Sequence, residues 1–424
     1  MVELEGSAAP GVWRRRLLRV LAALGVVAIV IGLAAPFLIG RLGGYSERRA
    51  VDSPGALSDA ARALVARVYD GIDTAQLVDY HTHLGGRGIG TDCWVNPRML
   101  SWWHPTDYVR FKVYLSAAGI EDETADDRVF VDKLLELVDS LPHPGRHFLL
   151  AFDHRYDALG RRDLARSEFY VPNEYAAEVV RAHPATFLPC ISIHPYRADA
   201  VAELERFAQR GVKLVKWLPN AMGIDPLSEL CDPFYAKLAE HDIALLTHAG
   251  EEQAVEADED QELGNPLRLR RALDAGVRVI VAHCASSGTG QDLDQPGAER
   301  TNFELFLRLM DEPRYEGLVF GEISTVTQIN RFPMALAGLL ERTDLHGRLV
   351  NGTDYPLPAI NVLYQTGALA DAGFLDPDER EVLNELYQYN PLLFDLALKR
   401  TVHAPGSGQR FAPEVFEGKP GLGY

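Results

Sequence analysis

From residue 75 onward the chain alternates between short apolar runs and longer stretches with helical spacing. The first run leads into Val78-Asp79-Tyr80-His81-Thr82-His83. Seven more follow, over residues 147–152, 187–193, 212–218, 243–247, 277–282, 318–323 and 349–353. Runs of this length with β-branched residues read as buried strands. Between them lie amphipathic patterns over 198–209, 234–241 and 267–275, and after the last run helices are predicted over 361–372, over 377–386 and up to residue 399. An earlier helix is predicted over 59–69, with Ser58 as its cap. The regular steps, 32 residues from Lys216 to His248 and 35 from His248 to His283, suit parallel strands joined by helical crossovers. Eight such units predict an α/β fold, a closed (β/α)8 (TIM) barrel with a long insertion, about 85–145, after the first strand. An open flavodoxin-like sheet is the alternative, and it would gather chemistry at a single switch point.

The N-terminal pattern differs. Residues 20–39 carry no charge. Twenty apolar residues at about 1.5 Å each match a hydrocarbon core of about 30 Å. The expected organisation is a cytoplasmic segment over 1–16, a transmembrane helix or uncleaved signal anchor over 17–40, and a linker with a leading helix over 41–74. The barrel follows over 75–402, and a loosely packed Gly/Pro-rich tail over 403–424. A cleaved signal peptide and a twin-arginine export signal at Arg14-Arg15-Arg16 compete with the anchor. The slight arginine excess before the span places the catalytic body outside the cytoplasm, on a single-pass cell-membrane protein.

Composition narrows the partners. With 424 residues, 47% hydrophobic and 24% charged, the chain has ample core material. Its net charge of -18 argues against a nucleic-acid partner. The four cysteines, Cys93, Cys190, Cys231 and Cys284, fit neither a zinc knuckle nor a disulfide framework. They read as small buried hydrophobes, with Cys93 the one near enough to the histidine pair to line a site.

The chemistry lies at the ends of the runs. On a strand His81 and His83 point to one face about 6–7 Å apart and can converge on one divalent ion. Later runs end in or carry Asp153-His154, His194, Lys216, His248, His283, Glu322 and Asp354. A lone histidine at a strand end is more often structural than catalytic, but one ligand-type residue per strand is a pattern. The set resembles the amidohydrolase superfamily. The similarity rests on Asp79-Tyr80-His81-Thr82-His83, Thr247-His248-Ala249-Gly250, Ala282-His283-Cys284, Asn351-Gly352-Thr353-Asp354-Tyr355-Pro356 and the closing Asn390-Pro391-Leu392-Leu393-Phe394. It looks closest to the branch of aminocarboxymuconate-semialdehyde decarboxylase-like enzymes and related hydrolases.

The resemblance implies that His81, His83, His248 and Asp354 bind one metal, most often Zn2+, with Mn2+ or Fe2+ as alternatives. Asp354 would also take a proton from metal-bound water, and His283 would polarise or orient a substrate carbonyl or carboxylate. Lys216 would bridge two metals if the site were binuclear; one metal is the expectation. For a small-molecule substrate, Arg87 is a candidate for carboxylate binding, Trp102 and Trp103 for an apolar lid, and His194 for the pocket rim. The acidic run 251–262 reads as a solvated loop. The implied activity is metal-dependent hydrolysis of a C–N or C–O bond, with non-oxidative decarboxylation at the same site as the alternative. A membrane-tethered binding protein without catalysis is a lesser one. A homodimer remains open.

Overall fold

The computed structural model describes residues 57–424. Eight parallel barrel strands are found among the described residues: β1 Val78–His83, β2 Arg146–Leu150, β3 Phe187–Cys190, β4 Leu214–Trp217, β5 Ala244–His248, β6 Val279–Ala282, β7 Val319–Glu322 and β8 Leu349–Val350. Each falls on one of the eight apolar runs. Ladders join β1–β2–β3 and β4–β5–β6–β7–β8. The two arcs meet through parallel bridges at Ile191–Val215 and Thr82–Tyr355. The second seam is reinforced where the Tyr80 amide donates to Asn351 O (2.9 Å) and the Asp354 amide to His81 O (2.7 Å). The ring is therefore closed, as expected for the TIM barrel.

Side chains alternate across each strand, as period-two geometry requires. Ala244, Leu246, Ile280 and Ala282 pack inside the barrel with Tyr80, Phe148, Leu214 and Val350. Leu245, Val279 and Val281 face the helices and join the larger core there. The helix predicted over 267–275 begins as a 3-10 turn, Pro266–Leu269, before Arg270–Asp274. That over 361–372 splits into Asn361–Leu363 and Thr366–Asp371.

The tail departs from expectation. Instead of a loose extension, residues 403–424 form the floor of the barrel. Phe411, Val415, Phe416 and Leu422 are fully buried, and Leu422 lies within the barrel interior. Leu77 bridges Glu417, the Lys419 amide donates to Tyr80 Oη (2.9 Å), and Tyr424 Oη donates to Ala75 O (2.9 Å). Its glycines supply left-handed turns at Gly421 and Gly423 rather than looseness.

The insertion after β1 holds helices Pro105–Ala117 and Arg128–Asp139, and a short strand Trp94–Val95 paired with Phe169–Tyr170. All four cysteines are free and buried; Cys93 packs against Gly86 rather than lining the cavity described below. The anchor expected over 17–40 lies outside the described residues. Among those described, no helix is long and apolar enough to cross a membrane.

Candidate metal centre and catalytic cavity

The C-terminal strand ends bring the predicted ligands together. One donor atom each from His81, His83 and Asp354 lie within 4.8 Å of one another. His83 Nε2 is 3.0 Å and His81 Nε2 3.4 Å from Asp354 Oδ1. The pairing of β1 with β2 slips between Asp79 and Thr82, a bulge of the kind that re-aims side chains near active sites. Asp79 ties the two ligand-bearing strands together: Oδ1 accepts from the His81 and Thr353 amides (2.8 and 3.0 Å) and Oδ2 from Thr353 Oγ1 (2.6 Å). Gly352 admits the close approach, because a Cβ there would stand 2.7 Å from the His81 Cβ. The His248 and His81 rings each sit 5.2 Å from that of His283.

The backbone at the mouth is strained. His283, Cys284, Ala285, Thr325 and Asp354 all have φ between 49° and 58°, a region that non-glycine residues rarely occupy. Such strain is held where the surrounding structure over-determines it.

Behind the ligands lies a layer of acceptors. Glu322, fully buried at the end of β7, accepts from His81 Nδ1 (3.0 Å), from Ser324 Oγ (2.8 Å) and from the amides of Ser324 and His283. The His81 proton is thereby held on Nδ1, leaving Nε2 bare toward the site. A carboxylate only accepts, so the single Ser324 hydroxyl proton goes to Glu322. The Ser324 oxygen then accepts from His283 Nδ1 (2.7 Å), with Thr325 Oγ1 at 3.1 Å. His283 therefore also presents a bare Nε2, 3.9 Å from Asp354 Oδ2. The acidic run is not all solvated, for Glu252 is buried with Oε2 3.3 Å from His248 Nδ1.

Burial drives the His248 imidazole down to about 4 against the pull of Glu252, and it holds His83 and His283 low as well. Asp354 is pushed up by burial, but His81, His83 and His283 outweigh this and keep its carboxyl well below the usual range. Burial thus favours the neutral form of His83, His248 and His283 beside the Asp354 carboxylate. Lys216 is buried beside it, its Nζ 3.2 Å from His81 Nε2, and desolvation lowers its pKa.

Above the centre opens a cavity of about 190 Å³, lined by His81, His83, His248, His283 and Asp354 together with an apolar wall that includes Phe111, Leu115, Phe130, Phe152 and Phe169. Arg87 lines it, as expected, though its guanidinium is engaged by the Glu123 carbonyl and packs over Phe111. The other candidate substrate groups are placed elsewhere. Trp102 and Trp103 stack on each other at 3.9 Å, are 65% and 74% exposed, and do not line the cavity. His194 is fully buried and does not line the cavity, Nε2 donating to Met222 O (2.9 Å) and Nδ1 accepting from the Tyr196 amide (3.2 Å). Asp153 pairs with Arg197 at 2.8 Å, and His154 stacks on Tyr170 at 4.2 Å, so both brace the barrel wall.

The amidohydrolase family profile matches residues 78–392, from the first strand to the start of the last α-helix, Pro391–Thr401. The chain belongs to the amidohydrolase family. No curated protein matches this amidohydrolase. Solved structures similar to it include an uncharacterised TIM-barrel protein of Bordetella bronchiseptica, at 16% identity, covering 76% of this chain and 99% of that one, with a TM-score of 0.45. A second is a probable 2-pyrone-4,6-dicarboxylic acid hydrolase of Acinetobacter baumannii, at 12% identity, covering 74% and 95%, with a TM-score of 0.42. A third is the 5-carboxyvanillate decarboxylase of Novosphingobium aromaticivorans, with manganese bound, at 13% identity, covering 81% and 98%, with a TM-score of 0.42.

The residues of this amidohydrolase fit a divalent ion. His248 Nε2 is sealed from solvent and, among the described residues, has neither a hydrogen-bond partner nor a carboxylate within reach, a costly state for a buried imidazole nitrogen unless a ligand completes it. His81 and His248 each face a carboxylate at Nδ1, the arrangement that orients metal-binding imidazoles. Sequence reasoning noted Glu322 only as a strand residue and took Glu252 for solvated. Glu252, four residues after His248 in an acidic stretch, had no local signal to distinguish it.

Proposed function

We propose that this protein is a metal-dependent hydrolase that cleaves a C–O or C–N bond of a small molecule at the barrel mouth. The observation that carries the reading is the convergence of His81, His83 and Asp354 within 4.8 Å, beside the buried, unpartnered Nε2 of His248. These four would hold the ion, and zinc suits a set of three imidazoles and one carboxylate. When bound, the ion polarises a carbonyl and makes a water nucleophilic at neutral pH.

The chain's own groups handle the protons. Asp354 remains a carboxylate and can take a proton from the attacking water. The bare His283 Nε2, 3.9 Å from Asp354 Oδ2, is placed to receive that proton and pass it to the leaving oxygen or nitrogen. This gives His283 a proton-carrying role in place of the carbonyl-polarising one expected from the resemblance, which needs Nε2 protonated. The apolar wall excludes bulk water and accommodates an apolar substrate body. Lys216, with its Nζ 3.2 Å from His81 Nε2, is a neighbour of this ligand set and not a ligand in the one-metal reading. Attachment to the cell membrane through residues 17–40, with the barrel outside the cytoplasm, belongs to the same proposal and rests on the sequence pattern.

The test is metal analysis of the purified full-length protein, with an activity screen over esters, lactones, amides and aromatic acids. About one zinc per chain and net water uptake, both lost in His81→Ala and Asp354→Asn, are the expected results. Release of CO2 without water uptake would replace hydrolysis by decarboxylation at the same residues. A protein that holds no metal tightly would refute the reading.

A further inference from the structure

The charged groups around the cavity are unequally committed. Asp127 accepts from the amides of Arg87, Gly88 and Ile89 and from Thr91 Oγ1. Glu123 pairs with Lys112 and Asp126 with Arg128. Glu252 accepts from the Ala254 and Val255 amides, at 2.6 and 3.2 Å. The rim carboxylates are therefore committed to donors of the protein itself. Arg87, the arginine singled out from the sequence, is occupied by a carbonyl and an aromatic face.

Arg331, in the loop after β7, is different. It lines the same cavity as His248, His283 and Asp354. Among the described residues it makes one hydrogen bond to a side chain, from a terminal nitrogen to Ser286 Oγ at 3.2 Å, and no ion pair; Glu252 and Asp354 act on it only at longer range. Its Nε, like that of Arg87, is sealed from solvent without a partner; unlike Arg87, it has no carbonyl or aromatic face on its terminal nitrogens among those residues. Partly burying a guanidinium with an unused donor is unfavourable unless something supplies the acceptor. The planar fork is suited to a carboxylate.

We propose that Arg331 is the anion-binding group of the cavity, and that the substrate is a small molecule with an apolar body and a carboxylate beside the bond that reacts. This rests on the hydrolase reading for the position of that bond, but not for the binding itself. The apolar wall of Phe111, Leu115, Phe130 and Phe169 takes the body, Arg331 takes the carboxylate, and the reacting carbon is left over Asp354 and His283.

Isothermal titration of the full-length protein with benzoate and with uncharged benzamide tests this, with metal loaded and after chelator treatment. Wild type should bind benzoate in both states. Arg331→Gln should weaken benzoate about 10–100-fold, the range for losing hydrogen bonds to a charged group. Arg331→Lys should restore part of the loss, and benzamide binding should change less than about twofold in either variant. Metal content should be unaltered by Arg331→Gln. Failure of wild type to bind benzoate, Arg331→Gln binding it as well as wild type, or a loss found in Arg87→Gln alone would overturn the assignment. If instead the hydrolase reading is at fault, metal or turnover is missing while charge-selective binding through Arg331 persists.

Discussion

Replacing Glu322 by glutamine keeps the shape of the side chain and removes its charge. In the native site Oε2 accepts from His81 Nδ1, His283 N and Ser324 Oγ at 3.0, 3.2 and 2.8 Å, while Oε1 takes the Ser324 amide. A glutamine best keeps its oxygen toward the three donors and then turns its NH2 toward the Ser324 N–H, donor against donor. Leaving that buried amide unpaired costs about 1–3 kcal/mol of stability. The His81 bond survives but loses its charge assistance, and with it the hold on the Nδ1–H tautomer. Outer partners of metal-binding histidines are worth about 10–100-fold in affinity, or about 1.4–2.7 kcal/mol. Competition for zinc with a chromogenic chelator reads this directly, and a melting curve of the metal-free protein reads the stability part separately. Ser324→Ala is the companion. It cuts the link from Glu322 to His283 but spares His81, so zinc affinity should hold while kcat falls. Zinc affinity of Glu322→Gln within about twofold of wild type would refute the idea that Glu322 fixes the ligand's tautomer.

Other consequences follow from the same contacts. Leu422→Ala should cost about 2–5 kcal/mol in urea unfolding, the range for emptying a fully buried leucine site, and a cost under about 1 kcal/mol would show that the tail does not plug the barrel. Burial holds His194 down to about 3 in the folded protein, so the unfolded chain binds the extra proton first. The stability this neutral ring contributes is complete above pH ~6.5 and is lost as pH falls toward 3, by at most about 1.4 kcal/mol per unit; His194→Gln should flatten that slope between urea midpoints at pH 7 and 4.5. Because Trp102 and Trp103 stand outside the cavity, the double change Trp102→Ser, Trp103→Ser should leave KM within about twofold of wild type. Lys399→Met strips the fully buried Asp395 of its 2.6 Å partner and frees the Gly352 carbonyl beneath the Asp354 turn. A loss of about 3–5 kcal/mol is expected from calorimetry, and a neutral result would show that the pair is dispensable.

The strands and the ligands were legible in the sequence for one reason: both repeat. Parallel strands buried on both faces are continuous apolar runs, and the residue that follows each run falls at the same end of the barrel. His81, His83, His248, His283 and Asp354 could thus be grouped without knowing any distance. The substrate groups do not repeat. Arg87, Trp102, Trp103 and His194 were chosen for their chemistry near a strand end, but whether such a residue meets the cavity depends on loop paths that no local spacing encodes. The structure leaves Arg87 engaged by a carbonyl, turns the tryptophans to solvent and buries His194 against Met222 and Tyr196.

The tail and the supporting acids were missed for a related physical reason. Residues 403–424 are rich in Gly and Pro because they must turn repeatedly to enter the barrel floor, and composition reads turning as looseness. Glu322 gathers its donors from β1, from the turn after β6 and from Ser324 two residues on, while Glu252 is held by the Ala254 and Val255 amides and faces His248 only because the loop after β5 folds back. A buried acid of this kind is distinguishable from a solvated one only by its partners. The first-rank ligands of this centre are therefore written in periodicity, while the groups that set their protons are written in three-dimensional pairing. The Glu322→Gln and Ser324→Ala pair probes that second kind of information, which the order of residues alone does not display.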